Sequence, residues 1–256
     1  MIHPTAIVAP GAKLGKNVTV GPYSSIGENV ILGDDCIVGS HAIITGHTEC
    51  GNNNHFYQFA VIGEACQDKK YQDEPTKVVI GDNNIFREFC TVHRGTIQDA
   101  GVTKIGSNNL FMAYTHIAHD AVIGNHVTFS NSATVAGHVT VMDWAVLSAK
   151  TSVHQFGRIG ESAFVGGHAG ALQDVPPFVV VMGVPAKPVA INTEGLKRRG
   201  FAPEELLQAK RAYKTLYRKK LRLEEATEIF TREAAESRPS KLMADFIKGT
   251  QRGIVR

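Results

Sequence analysis

No apolar stretch in this 256-residue sequence approaches the ~20 residues that a membrane-spanning helix needs. The N-terminus, "MIHPTAIVAPGAK", also lacks the basic segment and apolar run of a secretory signal, so the expected location is the cytoplasm, with no membrane span. Aromatic residues are scarce at 7%, with a single Trp, which excludes a core built mainly of rings. Charge imbalance is slight: the net +3 is too small to make nucleic acid the expected partner. Cysteine is sparse, and Cys36, Cys50, Cys66 and Cys90 form no CxxC pair and no disulfide-like cluster, in keeping with a reduced protein. What is plentiful is glycine, at 25 residues, which favours many tight turns.

The glycines follow a rhythm. Stepping by six from Val8 through Leu14, Val20 and Ile26 to Ile62, every position is apolar, and the next residue is glycine at Gly15, Gly21, Gly27, Gly33 and Gly39. Two positions before the apolar site the side chain is mostly small or β-branched, as at Ala12, Val18, Ser24 and Cys36. The pattern breaks over "EACQDKKYQDEPTK", resumes at Ile80, breaks again over "HRGTIQDAGVTK", and then runs unbroken from Ile105 to Val165. Neither an α-helix nor an alternating strand has a period of six. A coil of three short strands does: three hexads give an 18-residue triangular coil, and parallel stacking at roughly 4.8 Å per coil builds a solenoid prism on the order of 40 Å long. The glycine after each large apolar residue is expected to take the tight corner.

Near the end, "DVPPFVVVMGVPAKPV" has prolines suited to a capping edge coil. After Asn192 the pattern turns helical. "APEELLQAKRAYKTLYRKK" carries an early proline, acids in its first turn and bases in its last, and "LRLEEATEIFTREAAE" and "SKLMADFIKG" have helical spacing, with Gly249 as a stop. The expected organisation is a parallel β-helix over 1–190, with excursions at 64–78 and 93–104, followed by a helical domain over 191–256 with two or three helices.

The period also places chemistry. Residues 18 apart stack on adjacent coils, so His119, Gly137 and Gln155 form one column and Asp120, His138 and Phe156 the next. A zinc set drawn from His116, His119, His138 and His154 is the rival reading of the histidines. Residues three apart, however, occupy different parts of a hexad and no cysteine joins them, so no metal is expected. Cys36, Cys50 and Cys90 fall in inward slots and read as core, while His41 and His126 read as surface.

The hexads resemble those of the hexapeptide-repeat acyltransferases, which implies a left-handed parallel β-helix. "GEACQDKKYQDEPT", "TVHRGT", "HIAHD", "AGHV", "VHQF", "QDVPPF" and "NTEGLKRRGF", in this order and spacing, resemble the UDP-N-acetylglucosamine O-acyltransferase family over essentially the whole chain. The resemblance implies transfer of a 3-hydroxyacyl chain from acyl carrier protein to the 3-hydroxyl of UDP-N-acetylglucosamine, the first step of lipid A synthesis. It implies a homotrimer with sites between neighbouring prisms, and no cofactor beyond the carrier-protein thioester.

On this resemblance His119 is the expected general base, with its ordinary pKa near working pH. Asp120 would hold its tautomer, and the Gly137 N–H would meet the developing oxyanion. His93, His116, His138, His154 and Gln155 are expected substrate binders, His138 across the subunit boundary. Asp68 and Lys70 match family contacts to the sugar nucleotide, and Asn192, Glu194, Arg198 and Arg199 match contacts to uridine and phosphates. Lys210, Arg211, Lys214, Arg218, Lys219, Lys220 and Arg222 offer a basic flank to steer the acidic carrier protein. Gly167 matches a position where bulk limits acyl length. The alternatives are the N-acyltransferase of the same pathway, an acetyl-CoA-dependent sugar transferase, a scaffold solenoid, and a zinc protein resembling the γ-carbonic anhydrases.

Overall fold

Each hexad forms one very short strand, as at Ile7–Val8, Lys13–Leu14 and Thr19–Val20, and successive strands fall in turn on three sheets of nine, eight and ten strands. The computed structural model describes residues 1–256 and is a left-handed parallel β-helix followed by a small α-helical domain. Strands pair with the 18-residue stagger: His116 lies opposite Thr134 and Ile117 opposite Val135. The large apolar residue of each hexad is buried from Val20 onward, and the small one two positions earlier is buried beside it. Inside the middle coils Phe56, Phe86 and Phe111 stack at centroid separations of 5.1 and 4.9 Å and Phe129 meets Phe111 edge to face at 5.3 Å, and each such pair adds about 0.5–1.5 kcal/mol beyond simple burial.

Three coils place an asparagine in the small slot. Asn54, Asn84 and Asn109 are fully or almost fully buried, and they satisfy one another as a ladder. The Asn54 Oδ1 accepts from both the backbone N and Nδ2 of Asn84 at 3.0 Å, the Asn84 Oδ1 accepts from Asn109 N at 3.0 Å, and the Asn109 Oδ1 accepts from Val127 N at 2.7 Å. A buried amide with its bonds made in this way escapes the cost of an unpaired polar group.

The corners depart from the sequence expectation. Apart from Gly63, where the first excursion begins, the residue with left-handed backbone is not the glycine after the large apolar side chain but the residue two places further on, and it is rarely glycine. One edge uses Asn17, Asp35, Asn53, Asn83 and Asn108, the residue types that bear this conformation at least cost. The glycines answer to a different constraint, the close approach of the next coil. A Cβ on Gly15 would stand 2.6 Å from Gly33 C, and one on Gly33 would stand 2.5 Å from Gly51 O.

Both excursions leave the prism at one edge. The first runs between the strands Val61–Glu64 and Lys77–Ile80 and the second between Thr91–His93 and Val102–Ile105, each time passing from the nine-stranded to the eight-stranded sheet. The next coil turns this edge at Asp120, followed by His138 and Phe156. Two loops therefore lie directly beside the predicted columns.

The ten-stranded sheet ends in an antiparallel edge strand, Lys187–Ile191, which carries Pro188 where a missing N–H is tolerated. Four helices follow: α1 (Thr193–Arg198), α2 (Pro203–Tyr217), α3 (Leu223–Glu233) and α4 (Arg238–Lys248). α1 went unread in the sequence because six residues are too few for a 3.6-residue period to show. Asn192 caps it by accepting from Gly195 N at 3.0 Å. Gly249 does not end α4 with a left-handed turn, since its φ is −89°. Its lack of a side chain makes room for Arg158, whose Nη1 donates to Phe246 O at 2.9 Å and whose guanidinium lies 4.5 Å over the Phe246 ring. The tail is thereby clamped to the end of the prism. No helix is long and apolar enough to cross a membrane.

Candidate active site

His119 and Asp120 form the centre. The His119 Nδ1 bonds the Asp120 Oδ2 at 2.9 Å, and the two side chains are 11% and 1% exposed. Asp120 occupies the left-handed corner with φ 57°, and its backbone N donates to Thr103 Oγ1 at 2.9 Å. Its carboxylate takes further bonds from the second excursion, with Thr96 N at 3.0 Å from both oxygens and Thr96 Oγ1 at 2.7 Å from Oδ2. Burial acts to raise this carboxyl, but hydrogen bonds from the His119 ring and from the Thr96 hydroxyl and backbone, with His138 nearby, hold it below the usual carboxylate range. Asp120 is thus a fixed anion that keeps the His119 Nδ1 engaged and leaves Nε2 free.

The column geometry is as the period predicts: His138 N donates to His119 O at 3.0 Å, and Phe156 N to Gly137 O at 3.1 Å. A Cβ on Gly137 would sit 2.4 Å from both Cε1 and Nε2 of His119, so the ring lies where any side chain would be. The N–H groups of Ala136 and His138 bond Val153 O and His119 O, whereas that of Gly137 makes no hydrogen bond within the chain.

A cavity of about 490 Å³ opens in front of this pair. The first excursion contributes Asp68 and Lys70, the second Thr96, Gln98 and Asp99, and the corner columns His119, His138, Gln155 and Phe156. Of the residues singled out in the sequence, Asp68, Lys70, His119, His138 and Gln155 therefore meet at one site. His138 belongs to the same chain's cavity as His119, its Nε2 3.9 Å from Asp120 Oδ2, so reaching His119 requires no subunit boundary. His119, Asp120 and His138 could offer ligand atoms to a metal ion, but Asp120 Oδ2 already accepts from Thr96 and His119, which satisfies the group without one.

Other expected residues lie outside the cavity. His93 and His116 stand edge to face at 5.0 Å behind His119, and the His116 Nδ1 bonds Thr91 Oγ1 at 2.8 Å. Burial, then the neighbouring His93 and His119, push His116 down to about 4; burial lowers His93 as well. His154 is exposed, with Nδ1 on Gln155 O at 2.9 Å. In the tail, Asn192 and Arg199 act within the chain. Asn192 Nδ2 donates to Ser162 O at 2.9 Å; Arg199 pairs with Glu161 at 2.7 Å and lies between the rings of Trp144 and Phe201. Glu194 and Arg198 are exposed on α1. Gly167 is exposed too, and a Cβ there would meet nothing closer than Ala149 O at 3.7 Å.

Sequence reading gave no role to Thr96, Gln98, Asp99 or Phe156. The missed signal was countable: two breaks in the rhythm, three hexads apart, must leave the prism at the same edge.

The chain is similar to known proteins over its whole length. Residues 174–255 match a family model described as domain 2 of UDP N-acetylglucosamine O-acyltransferase, and residues 11–46 and 103–137 match the bacterial transferase hexapeptide model. Acyl-[acyl-carrier-protein]–UDP-N-acetylglucosamine O-acyltransferases from Halorhodospira halophila and Thiobacillus denitrificans are 54% and 51% identical to it, each over 100% of this chain and 99% of the relative. The solved UDP-N-acetylglucosamine acyltransferase of Francisella novicida superposes with a TM-score of 0.98 at 44% identity, covering 100% of this chain and 94% of that one.

Proposed function

This chain belongs to the UDP-N-acetylglucosamine O-acyltransferase family, and on that premise we propose how its residues move the acyl group. It is an acyltransferase that takes the acyl chain from acyl carrier protein and delivers it to UDP-N-acetylglucosamine, the first step of lipid A biosynthesis. In our reading the acceptor is the sugar 3-hydroxyl and the donor a 3-hydroxyacyl thioester. The observation that carries the mechanism is the His119–Asp120 pair with the His119 ring against Gly137.

The sugar 3-hydroxyl gives its proton to His119 Nε2 as its oxygen attacks the thioester carbonyl carbon. Asp120, bonded to Nδ1, stabilises the imidazolium that forms. The carbonyl oxygen becomes an oxyanion, and the unbonded N–H of Gly137 is the donor set to meet it. Collapse breaks the carbon–sulfur bond, and the departing thiolate takes the proton back from His119. Asp68, Lys70, His138 and Gln155 hold the sugar nucleotide in the shared cavity, while His93 and His116 back the His119 ring. His154, Glu194 and Arg198 serve the site that forms with a neighbouring copy in a homotrimer, and Asn192 and Arg199 hold α1 in place for it. The basic residues of α2 and its C-terminal flank receive the carrier protein, and Gly167 leaves room for the end of the acyl chain.

The test is direct. The protein is incubated with UDP-N-acetylglucosamine and a panel of acyl and 3-hydroxyacyl carrier-protein thioesters, and the products are identified by mass. An ester at the 3-oxygen, located by fragmentation, is expected; acylation at another hydroxyl, or turnover with acetyl-CoA instead, would overturn the reading.

A further inference from the structure

Three side chains of the second excursion make polar attachments, each to a different part of the site. Arg94 ties it to the first excursion, with Nη1 donating to Gly63 O at 3.0 Å and Nη2 to Tyr71 Oη at 2.7 Å. Thr96 holds Asp120. Asp99 reaches 39 residues along the chain, and its Oδ2 accepts from His138 Nδ1 at 2.7 Å. That is the only side-chain hydrogen bond His138 makes, because its Nε2, 3.9 Å from Asp120 Oδ2, is beyond bonding distance. The ring is otherwise placed by packing alone. It stacks on Phe156 at 4.5 Å and 13°, and meets His119 edge to face at 5.0 Å. Stacking fixes the plane of an imidazole but not which nitrogen faces which way, since a half-turn about Cβ–Cγ returns the ring to the same plane with its nitrogen and carbon positions exchanged.

We propose that Asp99 is a positioning residue for this reaction. By accepting the Nδ1–H of His138 it selects the ring orientation and tautomer that present Nε2 to the cavity, where Nε2 accepts a hydrogen bond from a hydroxyl of the sugar nucleotide. The site then has two imidazoles, each held at Nδ1 by a carboxylate: Asp120 orients the one that accepts the proton, and Asp99 orients the one that binds. The first carboxylate comes from the repeat itself and the second from a loop that interrupts it. Asp99 is half exposed, so its bond is worth less than that of a buried charged pair.

The kinetic arm rests on the acyl-transfer reading above; the spectroscopic arm does not. With full-length protein, Asp99→Ala raises KM for UDP-N-acetylglucosamine about five- to tenfold and leaves kcat within about threefold, as expected for one lost hydrogen bond in binding. Asp99→Asn, whose amide oxygen accepts the same proton, returns KM to within about threefold of wild type. In a His138→Ala background Asp99→Ala has no further effect, because the group it acts through is gone. Imidazole nitrogen NMR of the ligand-free protein, at a pH where histidine is neutral, shows His138 protonated at Nδ1 in wild type and shifted toward the Nε2–H tautomer in Asp99→Ala. An unchanged KM, an equal loss in the His138→Ala background, or an unchanged tautomer would each overturn the proposal. If wild type shows no acyl transfer at all, the functional reading falls, while the tautomer measurement still judges Asp99.

Discussion

Two edges of the prism share one backbone slot and have opposite chemistry. Tyr23, His41, Phe59, Phe89 and Tyr114 turn one edge and Asp120, His138 and Phe156 another, all three residues after a large apolar side chain and all with φ between 56° and 63°. On the first edge the rings stack at 5.1, 5.2, 5.0 and 4.8 Å, and no side-chain hydrogen bond joins them to anything. On the second, Asp120 and His138 are bonded by Thr96 and Asp99. The slot is the same; what differs is the pair of excursions lying beside the second edge. The repeat sets positions, and its interruptions supply the partners that turn a corner side chain into a reactive one.

The sharpest way to break this comparison is at His119. His119→Ala removes the group that accepts the sugar proton and is expected to lower kcat/KM roughly 10²–10⁴-fold with the circular dichroism spectrum and oligomeric state unchanged. Wild-type turnover in that variant would mean that the excursion-flanked edge is no more catalytic than the aromatic one.

A smaller effect is expected from adding a single methyl group. Gly137→Ala places a Cβ 2.4 Å from two atoms of the His119 ring, so the ring must leave its position, and a displacement near 1 Å costs about 10²-fold in rate. Gly167 is the control in another coil. At Gly167→Met the Cβ makes only ordinary van der Waals contacts, the nearest with Ala149 O at 3.7 Å, so the variant folds normally and shifts preference toward shorter acyl chains in the carrier-protein panel. Equal losses of rate in the two variants would show that crowding of His119 is not what Gly137 avoids.

Acid distinguishes the histidines behind the site from solvated ones. His116 is lowered to about 4, so between its ordinary value of 6.5 and that value the unfolded chain binds a proton that the folded chain refuses. Stability is therefore full above pH 6.5 and falls as pH drops toward 4, by on the order of 2–3 kcal/mol. Urea midpoints at several pH values between 7.5 and 4.5 measure this, and His116→Gln flattens the slope. A slope unchanged by that substitution would place the acid sensitivity elsewhere.

The prism was legible in the sequence because every hexad repeats the same burial problem, so ten positions from Val8 to Ile62 agree on one answer. The columns through His119 and Asp120 followed from the same arithmetic. Two kinds of residue escaped it. The left-handed corners, as at Tyr23 and His138, escaped because a period reports which side chains turn inward, not which backbone turns left-handed. Thr96 and Asp99 escaped because they lie where the period is absent, and their partners stand 24 and 39 residues away. Asn192 and Arg199, noticed for a ligand role, also join α1 to the turn at Glu161 and Ser162, contacts that no period in the sequence reports.

The smallest expected effect lies on the aromatic edge. His41 is exposed and stacked between Tyr23 at 5.1 Å and Phe59 at 5.2 Å, with no hydrogen bond from its ring. His41→Ala should cost about 1 kcal/mol of stability for the lost stacking and leave kcat and KM within twofold. The same substitution at His138, in the same slot one edge away, removes a ring held by Asp99 and facing the cavity, so it raises KM and costs at least as much stability. Thermal melts and kinetics on the two variants give the contrast in one experiment. If His41→Ala impaired turnover as much as His138→Ala, the excursions could not be what separates the two edges, because none lies beside His41.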